Sequence, residues 1–209
     1  MYFRMLHDEA SGTASYLLGD LDAGQAVLID PRGADLPVLA AMLDEHRLTL
    51  RWLLRTHEHD ALLPGEHAAL QTLDAPIVQH RVPDGEAGRG ALLFGHEHLR
   101  VLATPGHTAG CLSFLWRDRL FCGGLLAVDA CPYQPRPALP QALWDSVTRE
   151  VFALPGETLL FCGHARHWRT VSTVAEQRRW HPWFGGASRD DFLARVQALP
   201  AAASLQSLN

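Results

Sequence analysis

Nine of the twelve histidines in this 209-residue chain fall between His57 and His167, and three of the segments that carry them could build a metal site. The first is Thr56-His57-Glu58-His59-Asp60. On an extended or turning backbone, residues two apart point to the same side, so His57 and His59 can grip one ion. The second is Thr104-Pro105-Gly106-His107-Thr108, where Pro-Gly forces a turn and lets the backbone come close enough to aim His107 inward. The third is Phe161-Cys162-Gly163-His164. Neutral imidazole is the commonest protein ligand for zinc and also suits iron. One histidine is usually a surface or core residue. Three such segments, each directly after a strand-like run, form a pattern that chance rarely produces.

The elements that must position these groups are legible in outline. Tyr2–Leu6, Ala14–Leu18, Ala26–Ile29 and Arg51–Arg55 read as strands. So do Ala75–Gln79, Leu99–Ala103 and Thr158–Cys162, while Cys111–Trp116 and Arg119–Cys122 suggest a hairpin about Arg117-Asp118. Helical spacing runs over 36–46, 62–73, 140–152, 170–180 and 190–199, and 82–90 reads as a loop. This alternation predicts layered α/β architecture, with one domain over 1–199 and a flexible tail over 200–209. The predicted strands place the histidine segments at strand ends, where functional loops gather.

Composition narrows the function. The chain is 47% hydrophobic and 20% charged, with a net charge of −5 and no clustered basic residues, which argues against nucleic acid as the main partner. No run is long enough to span a bilayer and no secretory leader is legible at Met1–Asp8, so no membrane partner is expected and the cytoplasm is the expected compartment. Cys111, Cys122, Cys131 and Cys162 form no CxxC pair. Cys111 is expected in the core. Cys122 and Cys162 end strands near the candidate site, where packing competes with a role as soft ligand or reactive thiol. Solvent-facing alternation accounts for the second HxH, His96 and His98, and Glu66 and His67 are expected on an exposed helix face.

The chain resembles the metallo-β-lactamase superfamily, in its persulfide dioxygenase and glyoxalase II branch. The phrases that carry the resemblance are Ala14-Ser15-Tyr16-Leu17-Leu18-Gly19-Asp20, Ala26-Val27-Leu28-Ile29-Asp30-Pro31, Arg55-Thr56-His57-Glu58-His59 and Thr104-Pro105-Gly106-His107-Thr108-Ala109-Gly110-Cys111. Leu154-Pro155-Gly156-Glu157-Thr158, Gly163-His164 and Thr170-Val171-Ser172-Thr173-Val174-Ala175-Glu176-Gln177 follow in family order, so the matches reach from about Met1 to Trp183. The resemblance implies an α/β fold of the αββα sandwich type: two mixed sheets face to face, helices outside, metal at one edge.

It also exposes losses. The family's HxHxDH motif here reads His57-Glu58-His59-Asp60-Ala61-Leu62, so its Asp and last His fall on Ala61 and Leu62. The family's later Gly-Asp reads Gly123-Gly124, and Cys131-Pro132-Tyr133-Gln134-Pro135-Arg136 stands where the dioxygenases carry Arg-Thr-Asp-Phe. A two-metal hydrolase needs both ions and usually a bridging carboxylate, so the expected centre is mononuclear. His57, His59 and His107 would hold one zinc or iron ion, with water as a further ligand. His164 would stand nearby as proton carrier. Asp60 is the first choice to replace the lost carboxylate, ahead of Glu58 and Asp129. The implied substrate is a small thioester, ester or persulfide of a glutathione-type thiol, and relatives of this kind are often homodimers. Against this stands a non-catalytic reading, in which the fold persists as a binding or regulatory module without an ion.

Overall fold

The computed structural model describes residues 1–58, 66–85, 88–131, 133–166 and 169–200. The first sheet has five strands in the order β1 (Tyr2–His7), β2 (Ala14–Asp20), β3 (Gln25–Ile29), β4 (Thr49–Leu54), β5 (Ile77–Val78). The first three strands are antiparallel, while β4 and β5 join in parallel. A parallel neighbour needs a crossover. Helix α1 (Leu36–Glu45) supplies it between β3 and β4, and α2 (Glu66–Gln71) lies between β4 and β5. Asp84–Gly85 (β6) and Gly88–Arg89 (β7) pair as a separate short ribbon.

The second sheet has six strands: β8 (Ala91–Phe94), β9 (Glu97–Ala103), β10 (Leu112–Trp116), β11 (Arg119–Gly123), β12 (Leu159–Arg166) and β13 (Arg169–Thr173), lying side by side in reverse chain order. It is antiparallel except at β11 and β12, whose parallel pairing is bridged by a crossover containing α3 (Pro140–Asp145). Helices α4 (Val174–Trp180) and α5 (Arg189–Gln197) complete that side.

Three apolar clusters show how the layers stack. Tyr16, Leu18, Val27 and Ile29 of the first sheet meet Phe94, Val101, Phe114, Phe121 and Phe161 of the second. Leu17 and Leu28 point the opposite way and pack with Leu39 and Leu43 of α1, which lie four residues apart on one helix face. Leu120 and Leu160 leave the second sheet on its outer side and meet Leu143, Val174, Phe192 and Val196. Every residue of β2 is buried because both of its faces are covered. Rings of Tyr16, Phe121 and Phe161 contact one another between the sheets, with Tyr16 and Phe121 centroids 4.9 Å apart in an edge-on arrangement. The fold is therefore the αββα sandwich that the resemblance implied.

Several boundaries differ from the sequence reading. Arg169–Thr173 is a strand and not the first part of a helix. Its β-branched residues Thr170, Val171 and Thr173 suit the edge of a sheet, and pairing with β12 outweighs the helical spacing. The helix starts one residue later, where the Thr173 hydroxyl accepts a hydrogen bond from the Glu176 amide. Helical structure over 140–151 loosens into a wide π-type segment at Ser146–Val151. Residues 91–98, left unassigned from sequence, form β8 and the start of β9, and the loop expected at 82–90 contains the β6–β7 ribbon. Of the tail expected over 200–209, residues 201–209 lie outside the described residues, as does the helical expectation for 62–65.

Candidate metal centre

The carboxy-terminal ends of β4, β9 and β11 open at one edge of the sandwich, beside the far half of β12. His57 follows β4 by three residues, His107 follows β9 by four, and His164 lies within β12. Their rings converge. Ring centroids are 5.0 Å apart for His57 and His107, 5.3 Å for His57 and His164, and 6.3 Å for His107 and His164. One nitrogen from each ring lies within 4.8 Å of one nitrogen from each of the others. His107 and His164 are buried.

The local chain explains each placement. Asp30, just after β3, has φ +47, an uncommon left-handed backbone for a residue other than glycine. This turns its carboxylate towards the end of β4, where Thr56 donates to it twice, from the backbone amide (2.7 Å) and from Oγ1 (2.6 Å). Desolvation raises the Asp30 pKa, and the two Thr56 hydrogen bonds and the charge of Arg55 oppose that rise. Thr56 Oγ1 has one proton and directs it to Asp30. Its 2.8 Å contact with His57 Nδ1 therefore requires that nitrogen to donate. The proton of His57 is fixed on Nδ1, and Nε2 presents a bare lone pair to the cleft. Fixing the tautomer through the outer nitrogen is how ligating histidines are generally oriented.

His57 Nε2 faces His164 Nε2 at 3.2 Å. Without an ion, His164 must donate across this contact, because His57 has no proton there. Two nitrogens about 2.0–2.1 Å from one tetrahedral ion lie roughly 3.3–3.4 Å apart. The pair is thus spaced as two ligands of a single ion.

His107 is held by its main chain. Its carbonyl accepts hydrogen bonds from the Ala138 amide at 3.0 Å and from the Gln134 side chain. Gly106 has φ +149, and a Cβ there would come within 2.3 Å of Leu143 Cα, so only glycine brings this loop against α3. The His107 ring lies on Gly124. A Cβ at 124 would stand 2.4 Å from His107 Cδ2 and 2.6 Å from Nε2. The glycine at 124 and the position of this imidazole are one structural fact, since any side chain at 124 would displace the ring as it now sits.

The described residues thus offer three imidazole donors at a spacing suited to one ion, and the donor chemistry fits zinc or iron. No described carboxylate belongs to the cluster. Glu58 pairs with His80 at 3.1 Å, and Asp129 is on the exposed surface. His59, Asp60, Ala61 and Leu62 lie outside the described residues, as do the side chains of Glu66 and His67. Cys111 is buried and accepts from the Thr108 amide at 3.1 Å. Cys122 and Cys162 have sulfurs 3.8 Å apart on adjacent strands. His96 and His98 are exposed. Sequence reasoning passed over two residues that orient the site, Asp30 and Thr56, and one that lies against it, Cys131. The Asp-Pro pair ending one strand and the threonine preceding His57 were the available signals for the first two. For Cys131, whose Sγ lies 3.6 Å from His164 Nε2, there was none.

Known proteins share this fold and much of its sequence. No protein-family profile matches the chain. Human mitochondrial persulfide dioxygenase ETHE1 is 33% identical over 192 residues, covering 86% of this chain and 74% of that protein. The hydroxyacylglutathione hydrolase of Rhodospirillum rubrum is 33% identical over 159 residues, covering 71% of this chain and 60% of that enzyme. Among solved structures, ETHE1 from Myxococcus xanthus superposes with a TM-score of 0.81 at 35% identity, over 95% of this chain and 91% of that one. The chain belongs to the metallo-β-lactamase superfamily, in the branch of the persulfide dioxygenases and hydroxyacylglutathione hydrolases.

Proposed function

We propose that this protein is a single-ion enzyme acting on a small sulfur compound, with thioester hydrolysis as the reaction the site supports best. The observation that carries this reading is the convergence of His57, His107 and His164 with the His57 lone pair aimed at their common centre. These three residues would hold one zinc or iron ion, and His59 and Asp60 remain proposed neighbours of the same centre. When bound, the ion would supply Lewis acidity and a water whose pKa falls towards about 7.

The chain's own groups bind, orient and exclude. Thr56 and Asp30 hold the His57 ring in its ligating tautomer. Burial of His107 and His164 keeps bulk water from the donors. Tyr133, half exposed with its ring centroid 6.4 Å from that of His164, supplies an aromatic rim for the carbon part of a substrate. Oxygenation of a persulfide is the less favoured reaction, since non-haem iron of that type takes two histidines and a carboxylate. The relatives' names point to a glutathione-type thioester or persulfide as substrate. Among the described residues no helix is long and apolar enough to cross a membrane. A cytoplasmic location, as expected from the sequence, and a homodimeric state, carried over from the family resemblance, belong to this proposal.

The test is metal content after purification without added metal or a chelating tag, combined with hydrolysis of a hydroxyacylglutathione thioester. About one zinc or iron per chain is expected, falling near zero in His57→Ala and in His107→Ala, with activity lost in parallel. Metal near zero in the unaltered protein, unchanged in both variants, would instead support the non-catalytic binding module, which the glycine at 124 favours.

A further inference from the structure

Strands β11 and β12 run parallel with Phe121 opposite Phe161, and both rings enter the core between the sheets. Side chains alternate along a strand, so the next residue on each strand faces outward. Those residues are Cys122 and Cys162, and both join the apolar layer beneath the outer helices. Their sulfurs are 3.8 Å apart, and Cys122 Sγ also lies 3.5 Å from the Phe161 carbonyl of the neighbouring strand. Both are free thiols. Cys122 is 2% exposed, whereas Cys162 is half-buried.

We propose that Cys122 and Cys162 form a reversible redox pair, which a hydroperoxide closes into a disulfide, and that closure weakens the neighbouring metal centre. Neighbouring strands lie about 4.7–4.9 Å apart, inside the roughly 4.4–6.8 Å between Cα atoms that a disulfide accepts. The sulfurs have to close from 3.8 Å to about 2.0 Å. An accessible cysteine beside a resolving one is the arrangement of a redox sensor. Cys162 is the sulfur that a reagent meets first, and Cys122 is the one that resolves.

The chemistry balances in two steps. The Cys162 thiolate attacks one peroxide oxygen, the O–O bond breaks, and the leaving oxygen departs as water, so Cys162 becomes a sulfenic acid. The Cys122 sulfur then attacks the Cys162 sulfur, the S–O bond breaks, the S–S bond forms and a second water leaves. The two thiols together lose two electrons and two protons, and the peroxide is reduced to two waters.

The pair adjoins the site on both strands. Gly123 follows Cys122, and a Cβ there would overlap Thr56 Oγ1 and stand 3.0 Å from His57 Nδ1. Gly163 follows Cys162, and a Cβ there would stand 3.0 Å from Gly123 Cα. Two residues beyond the cysteines stand Gly124, on which the His107 ring lies, and His164 itself. With so little slack, drawing the cysteines together shifts Gly123 against Thr56 and disturbs the contact that fixes the His57 tautomer. The effect on the metal rests on the site proposed above, whereas the disulfide does not.

Hydrogen peroxide and zinc are the probes, applied to the full-length chain. Peroxide treatment of the zinc-free protein should remove two free thiols and give a peptide linking Cys122 to Cys162, read by non-reducing mass mapping and reversed by dithiothreitol. Chelator competition should then show zinc bound roughly 10–100-fold more weakly, the loss that follows when a ligand's supporting hydrogen bond is disturbed. In Cys122→Ala the same treatment should leave a sulfenic acid at Cys162, trapped by dimedone, with zinc affinity unchanged. Oxidation of Cys162 beyond the sulfenic acid in the unaltered chain with Cys122 still a thiol, or linkage of other cysteines, would overturn the pair. A Cys122–Cys162 disulfide with zinc affinity unchanged, or an equal loss of affinity in treated Cys122→Ala, would overturn the coupling and leave the metal site standing. Failure of the reduced, untreated chain to bind zinc would overturn the metal site and the coupling with it, while the linked peptide would still support the redox pair.

Discussion

Asp30 and Asp20 each engage a histidine-bearing segment, and they do opposite things. Asp30 lies inside the open edge, holds Thr56 twice, and through it fixes the ring of His57. Asp20, at the far end of β2, accepts from the His96 amide at 2.7 Å and from the His96 ring at 3.0 Å, tying the β8–β9 turn to the first sheet. Desolvation dominates at Asp30 and raises its pKa. At Asp20 the backbone hydrogen bonds, led by that from His96, dominate and lower the pKa to about 2. Both segments read HxH. One presents a ring to a buried cleft, and the other leaves the His96 side chain 77% exposed. An HxH pattern becomes a candidate metal site only where the fold brings other donors opposite it.

The contrast can be broken most severely at Gly124. Gly124→Ala places a methyl group where the His107 ring rests, so bound metal is expected to fall from about one per chain to near zero, read by metal analysis, while the circular dichroism of the sandwich persists. Next comes Thr56→Val, which preserves shape but removes the hydroxyl between Asp30 and His57. Metal affinity should fall roughly 10–100-fold, measured by chelator competition. The Asp30 carboxyl, left short of one hydrogen bond, should cost about 1–3 kcal/mol of stability by chemical denaturation.

Asp20→Asn tests the other aspartate and should leave metal content unchanged. A carboxylate whose folded pKa lies below its unfolded value of about 3.9 stabilises the fold above that value and loses the contribution as pH falls through the folded pKa. The stability difference between native and Asp20→Asn should therefore be about 1–2 kcal/mol at neutral pH and fade between roughly pH 4 and pH 2. The smallest effect belongs to His96→Ala and His98→Ala. The amide of residue 96 remains to hold Asp20, so stability should move by less than about 0.5 kcal/mol and metal content not at all. A loss of bound metal in either variant would show that the exposed pair takes part in binding.

Much of the sandwich could be read before folding because alternation is a local property. Tyr16 and Leu18 face one way along β2 and Leu17 the other, and that spacing is written in the chain. The segment 169–173 was misread for the converse reason. Its spacing suits a helix, but a neighbouring strand offers it hydrogen bonds, and a partner distant in sequence leaves no local trace. At the site, the types and loop positions of His57, His107 and His164 were legible, whereas the side chains opposite them were not.

The sequence by itself determined the superfamily, the layered architecture, the supply of imidazoles at strand ends and the glycine at 124. Only the tertiary structure decided that His164 approaches His57 as closely as a second ligand, that Asp30 and Thr56 set the His57 tautomer, and that Cys131 lies against His164. Residue types and periodicity are properties of the chain. A donor set is a matter of ångström distances between residues separated by as many as 107 positions, and those are fixed only when the two sheets close on a shared core.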